Sequence, residues 1–208
     1  ISPYVSYSES FQPQAPRTVA GQTIRLNPLR GEQIEAGVKY EPPGGRFTAN
    51  AAVYKLKEKN IVLNQGVTIS QAGETKNQGL ELELKGRITS TFDIAAHYNY
   101  TDVDDTLEQL PEHQAAVWGK YRFSVAGING FSAGGGVRYM SAFKDGPAPE
   151  VPSVTLLDLM LAYEQGNWRY ALNINNATDK EYVGTCLSRG DCWFGARRNV
   201  IATATYLF

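Results

Sequence analysis

Three groups of residues in this chain have the types and spacing that chemistry requires. Cys186 and Cys192 are the only cysteines, and the intervening Ser, Gly and Asp of "CLSRGDC" read as a surface loop closed by a disulfide, in an oxidising compartment. A metal site there would need further ligands close by, and the nearest histidine in sequence is His113; free thiols are the remaining option. His113 itself follows Asp104, Asp105, Glu108 and Glu112, and an Asp–His pair could activate water or a nucleophile. Acidic residues beside one histidine are more often simply solvated. The run "SAGGGVRYM" places Gly134, Gly135 and Gly136 together but lacks the Lys and Ser or Thr of a phosphate loop and opens no helix. Glycines inside a strand instead mark a bend or the close approach of other groups.

The elements that hold these residues are strands. The chain is 11% aromatic, with twelve tyrosines and twenty glycines against two methionines, a mix that favours strands and turns. Its 208 residues suit one all-β domain, and 42% apolar with 20% charged excludes disorder. A net charge of -1 gives no basic surface for nucleic acid. The most apolar stretch, "SVTLLDLMLAY" at 153–163, is broken by Asp158 and is far short of a membrane helix, which needs about 18 to 20 residues. The opening "ISPYVSYSES" has neither basic cap nor cleavage site and so reads as following a removed signal peptide or as internal sequence.

Apolar residues recur with period two. "GEQIEAGVKYE" sets Ile34, Ala36, Val38 and Tyr40 against Gln33, Glu35, Lys39 and Glu41, while "GLELELKGR" sets Leu80, Leu82 and Leu84 against Glu81, Glu83 and Lys85. Ten strands are predicted near 2–10, 31–42, 46–57, 76–87, 91–104, 113–124, 130–142, 153–165, 167–176 and 197–208. Between them short turns (43–45, 88–90, "VAGIN", "QG") alternate with longer connections (11–30, 58–75, 105–112, "KDGPAPEVP" and the cysteine loop). Strands longer than the usual five or six residues, with every short turn at one end, fit a transmembrane barrel. Each strand then crosses about 25 Å of apolar band, tilted, with one face to lipid and one to the lumen. Tyr40, Tyr98, Tyr100, Tyr121, Tyr139, Tyr163, Trp168 and Phe208 would supply the interfacial aromatic girdles. A filled barrel would turn Gly134 and Gly136 toward its filling, and His97 toward hydrogen-bonding partners in the lumen. A soluble β-rich binding module explains neither strand length nor turn asymmetry.

"YVSYSESFQP" at 4–13, "GEQIEAGVKYEP" at 31–42, "NQGLELELKG" at 77–86, "NINNATDKEYVGTC" at 173–186 and the closing "ATATYLF" together resemble the carboxyl-terminal half of TonB-dependent siderophore receptors. The cysteine loop followed by "FGARRNVIATATYLF" is most similar to the ferrichrome and ferrioxamine, or hydroxamate, type. That resemblance implies a barrel of about twenty-two antiparallel strands with short periplasmic turns and long extracellular loops, in the bacterial outer membrane. Residues 1–208 would form its last ten strands, with the plug domain and TonB box outside them. A self-contained ten-stranded barrel, acting as an enzyme or passive channel, is the alternative.

The resemblance further implies uptake of a ferric siderophore energised by TonB, which is transport and not catalysis. Iron arrives already chelated, so no cofactor and no protein metal ligands are expected. Trp193 and Phe194, with Arg189, match the positions expected to contact the ligand, whereas Leu187 stands where ferrichrome-type receptors carry an aromatic. Packing of Trp193 and Phe194 into the membrane girdle is the competing reading. Val200, Ala202, Ala204, Tyr206 and Phe208 match the terminal ladder read by the barrel assembly machinery. Partners would therefore be the siderophore, TonB, that machinery and outer-membrane lipid.

Overall fold

The computed structural model describes residues 1–19, 21–65, 68–102, 110–187 and 190–208, and among them every regular element is a strand. Ten of these form one antiparallel sheet: β1 (Ser2–Gln12), β4 (Leu29–Tyr40), β5 (Phe47–Gln65), β6 (Thr68–Arg87), β7 (Phe92–Asp102), β8 (His113–Val125), β9 (Ile128–Met140), β10 (Val154–Gln165), β11 (Trp168–Asn175) and β14 (Asn199–Tyr206). Two short hairpins, β2 (Arg17–Val19) with β3 (Gln22–Ile24) and β12 (Val183–Cys186) with β13 (Cys192–Phe194), stand inside the longer connections. The sheet runs from β1 to β14, and these two edges do not pair with each other, so the ten strands do not close by themselves.

Residues directly opposite in an antiparallel ladder share a face, and the register therefore sorts side chains into two surfaces. One outer row reads Tyr40, Ala49, Leu84, Ala96, Val117, Val137, Leu157. Another reads Tyr121, Ala133, Leu161, Leu172, Ala202. The opposite face carries Lys39, Asn50, Glu83, His97, Ala116 and Arg138 in one row. The apolar rows are not the core: Val38, Val53, Val117, Leu161 and Leu172 are all exposed. The chain presents 13594 Å² of accessible surface, against about 9,600 Å² for a globular monomer of its mass by the usual scaling. An excess of that size is what an open sheet with both faces accessible presents, and the apolar rows on one of those faces have the pattern of a barrel's outward surface.

Aromatic bands bound the apolar rows. Beside the short turns, Tyr121, Phe123, Phe131 and Tyr163 follow one another at centroid separations of 6.1, 5.9 and 4.5 Å, and Tyr206 lies 5.0 Å from Trp168 and 5.1 Å from Phe208. Near the longer connections, Tyr98 and Tyr100 flank His113. The turns themselves are tight: Gly45 N donates to Pro42 O at 3.0 Å, and Ala126 and Gly127 both adopt positive φ, the geometry that matches strand twist in two-residue hairpins.

The largest departure from the predicted strands is within 58–75, expected as a loop, where 58–65 and 68–75 are the paired continuation of β5 and β6. Here the alternation lapses, with Ile61, Val62 and Leu63 consecutive and apolar among polar residues, yet the two strands are held by their own ladder and by the connection before β4. Asn60 donates to Pro28 O at 2.8 Å, Gln14 to Asn60 O at 3.0 Å, and Asn27 N to Gln71 Oε1 at 2.7 Å.

On the inner face, aromatic rings lie over glycines of neighbouring strands. Tyr4 covers Gly37, Tyr54 covers Gly79, and the Trp118 indole spans both Gly134 and Gly136. The glycine run thus makes room for a side chain of this wall. A Cβ at Gly136 would stand 2.5 Å from Trp118 Cε3 and 2.7 Å from the Val117 carbonyl oxygen, whereas one at Gly135, on the outer face, would meet Leu159 at 3.5 Å. Gly136→Val is expected to destabilise the detergent-solubilised protein by about 1–3 kcal/mol through overpacking, and Gly135→Ala to leave its denaturant midpoint nearly unchanged. Equal midpoints for the two variants would contradict this packing.

Candidate functional site

The connection from β11 to β14 begins with "NATDKEY", and its Asn and Asp perform backbone roles. Asn176 and Asp179 adopt φ of 50° and 54°, left-handed values that these two residue types tolerate best after glycine. Asn176 is only 2% exposed, and its side chain is fully used: Oδ1 accepts from Lys180 N at 2.9 Å, while Nδ2 donates to Lys180 O at 2.8 Å and Ala196 O at 3.1 Å. Its own N–H donates to Asp158 Oδ1 at 2.9 Å. Asp158 lies on β10 and is gripped by Arg138 of β9 through Nε at 2.5 Å and Nη2 at 3.0 Å, the bidentate geometry that suits a guanidinium and a carboxylate.

A second clip lies beside the first. Asp179 accepts from Arg197 Nε at 3.0 Å and Nη2 at 2.8 Å and from Arg198 N at 3.0 Å, and Arg197 also bonds Glu181. The Arg197 guanidinium, and after it the Arg198 backbone N–H, hold the Asp179 carboxyl well below the usual carboxylate range. Both ends of the 176–198 connection are therefore tied to one another and to the sheet.

Above these clips, Cys186 and Cys192 form a disulfide across the β12–β13 hairpin, which restricts the unfolded chain by on the order of 2 kcal/mol. Cys186 is buried with Ala148 and Val151, and Phe143 and Val183 pack against them. Ala148 and Val151 belong to the Pro-rich connection between β9 and β10, which folds back on itself through Phe143 N to Val151 O (3.1 Å) and Val151 N to Phe143 O (2.8 Å). The two connections thus share a small apolar core.

Trp193 and Phe194 occupy β13, opposite Thr185 and Val183. They stand on the hairpin and not on the ten-stranded sheet that carries the aromatic bands. Phe194 is 81% and Trp193 46% exposed, an aromatic surface offered on a braced support. Arg189 lies outside the described residues, as do Asp104, Asp105 and Glu108. His113 faces outward, its Nδ1 2.9 Å from the Tyr98 hydroxyl and its ring 5.0 Å from that of Tyr100. That histidine is an aromatic-band residue. Of the terminal ladder, Val200, Ala202, Ala204 and Tyr206 pair with Ile174, Leu172, Tyr170 and Trp168 on the outer face. Phe208 follows the end of the strand, its ring against Tyr206.

Sequence reasoning passed over Arg138, Asp158, Asn176 and Asp179. The available signal was Asp158, a charge inside an apolar strand, together with the Asn/Asp-rich run that follows β11.

Residues 1–177 match a family described as "TonB dependent receptor-like, beta-barrel". The chain is 34% identical over its whole length to the ferrioxamine B receptor of Salmonella typhimurium and 33% identical to the ferrichrome outer membrane transporter/phage receptor of Escherichia coli, covering 32% and 30% of those proteins. It spans about a third of the length of the curated relatives it matches. Among solved structures, the ferripyoverdine receptor of Pseudomonas aeruginosa superposes with a TM-score of 0.81 at 22% identity over 98% of this chain and 30% of that one. The siderophore receptor PiuA of Acinetobacter baumannii superposes with a TM-score of 0.80 at 23% identity over 97% and 33%. At these identities the superpositions speak for the fold.

The clip at Asp179 has a defined acid response. A carboxylate whose folded pKa is depressed contributes fully above its unfolded value, near 3.9, and loses that contribution as pH falls through the folded value. Hydrogen-exchange protection of the Arg198 amide is therefore expected to be flat from pH 8 to about 4 and to fall only in stronger acid. In Asp179→Asn protection should be lower at neutral pH and lack the acid step.

Proposed function

We propose, from the premise that this chain belongs to the TonB-dependent receptor-like β-barrel family, that it forms ten consecutive strands of a larger outer-membrane barrel that imports a ferric hydroxamate siderophore. The observation that carries this reading is the match, over the whole of this chain, to receptors named for ferrioxamine and ferrichrome. The open sheet, with unjoined edges at β1 and β14, agrees with neighbouring strands supplied by the rest of such a receptor. Domain organisation follows: residues 1–208 are carboxyl-terminal barrel, with the plug and TonB box elsewhere in the polypeptide.

The work of this segment is binding and containment. Trp193 and Phe194 offer apolar, polarisable faces to a chelate whose rim is partly apolar, and Arg189 adds a cation for its carbonyl-like oxygens. Iron enters as chelated cargo and needs no ligand from the protein. Energy reaches the ligand through TonB acting on the plug, and the wall described above supplies a fixed surface against which that movement occurs. The outward rows ending in Tyr206 and Phe208 meet lipid and are the segment that the assembly machinery reads. Transport, and not bond-making chemistry, is the activity.

Trp193→Ala in the full-length receptor is expected to weaken ferric hydroxamate binding by about tenfold, or roughly 1.4 kcal/mol, measured by titration of the detergent-solubilised receptor. An unchanged affinity would assign Trp193 to packing. Residues 1–208 expressed alone are expected not to restore iron uptake to a receptor-null strain, and growth on the ferric hydroxamate as sole iron source would refute the division of labour stated here.

A further inference from the structure

The disulfide fixes the tip of the hairpin but not its attitude. It joins residues 186 and 192, and the contact of Cys186 with Ala148 and Val151 steadies that end, but neither acts at the junctions with β11 and β14. Something at the base must set the angle at which β12 and β13 leave the wall. Besides the Asp179 clip to Arg197 and Arg198, a buried side chain ties the two legs: Asn176, whose amide holds Lys180 by both its N–H and its C=O and reaches across to Ala196 O.

We propose that Asn176 is a positioning residue for ligand capture: with Asp158 as its anchor on β10, it sets the pose in which the disulfide hairpin presents Trp193 and Phe194. This rests on the receptor reading above and adds to it a residue that does not touch the ligand. Three physical facts support it. Asn176 is 98% shielded, so water does not compete for its three side-chain bonds. Its left-handed backbone directs the N–H at Asp158 Oδ1, an oxygen that Arg138 Nη2 also contacts. Asp158 belongs to a sheet strand, so the hinge is tied to the most rigid part of the molecule. A swinging hairpin would spend most of its time with its aromatic pair misdirected, and apparent affinity falls with the fraction of chains in the competent pose.

Aspartate at this position retains the acceptor for Lys180 N but turns a buried carboxylate oxygen onto Lys180 O and Ala196 O, both acceptors, so Asn176→Asp should loosen the hairpin at least as much as Asn176→Ala. The test uses the full-length receptor in outer membranes, with ferric ferrioxamine B as probe. In wild type the Lys180–Glu181 bond is expected to resist trypsin, and the amides of 179–181 to exchange as slowly as those of β11. In Asn176→Ala that bond should be nicked and the dissociation constant should rise about tenfold, while heat-modifiable migration of the barrel stays normal. Asn176→Asp should be nicked at least as readily and bind no more tightly than Asn176→Ala.

Fast exchange at 179–181 in wild type would overturn the proposal without any variant. So would unchanged affinity in Asn176→Ala despite nicking, since the pose would then not matter. Loss of heat-modifiable migration in Asn176→Ala would also overturn it, because the residue would then serve barrel folding and not hairpin pose. If wild type itself fails to bind the probe, the hydroxamate reading fails, and exchange and nicking at Lys180 still decide whether Asn176 sets the hairpin.

Discussion

A hydrocarbon bilayer offers no partner to a peptide N–H or C=O, so every backbone group that enters it must be bonded to a neighbouring strand. The ladders that join each strand to the next from β1 through β14, with register shifts only at Lys59–Leu63 and Phe123–Val125, answer that demand, and the rest of the chain follows from it. Strands must be long enough to carry the ladder across the apolar layer. Their turns on one side are as short as two residues, as at Ala126–Gly127. Side chains divide by pleat alone, and apolar rows accumulate on the face that a soluble protein would have buried. The exposure of Val38, Val53, Val117, Leu161 and Leu172 on that face shows the inversion.

The same constraint shapes the inner face. Facing away from lipid, it tolerates Lys39, Glu83, Arg138 and Asp158 in the middle of strands, and it settles them by pairing or by contact with water. It also accommodates large rings by removing Cβ atoms opposite them, as Trp118 does over Gly134 and Gly136. Small residues in β9 are therefore a packing requirement of this wall. Where strands leave the membrane the demand relaxes, and order there depends on local devices: a hairpin ladder for β5 and β6, a disulfide and shared apolar core for β12 and β13, and the clips at Asn176 and Asp179.

What could be read from the sequence follows the same boundary. Within the membrane, one physical rule with period two fixed the faces, and Ile34, Val38, Leu82 and Leu84 fall where alternation placed them. The disulfide was legible because Cys186 and Cys192 had no other plausible use. Beyond the membrane the rule lapses. The continuation of β5 and β6 was indistinguishable from a loop, since alternation lapses there and its order comes from bonds of Asn60 and Gln71 to Gln14, Asn27 and Pro28, residues distant in sequence. Asn176 reads as an ordinary turn residue, and its burial depends on Lys180 and Ala196 meeting across the connection. Val151, fully buried beside Cys186, was hidden inside a Pro-rich stretch that resembles exposed linker.

The small core formed by Ala148, Val151 and Cys186 has a mechanical consequence. Residues 141–153 and the disulfide hairpin are separate stretches of sequence, but they lean on one apolar seam, in which Phe143 and Val183 pack against the buried three. A substitution that opens the seam from either stretch therefore loosens both, and a force on one connection is felt by the other across β10 and β11.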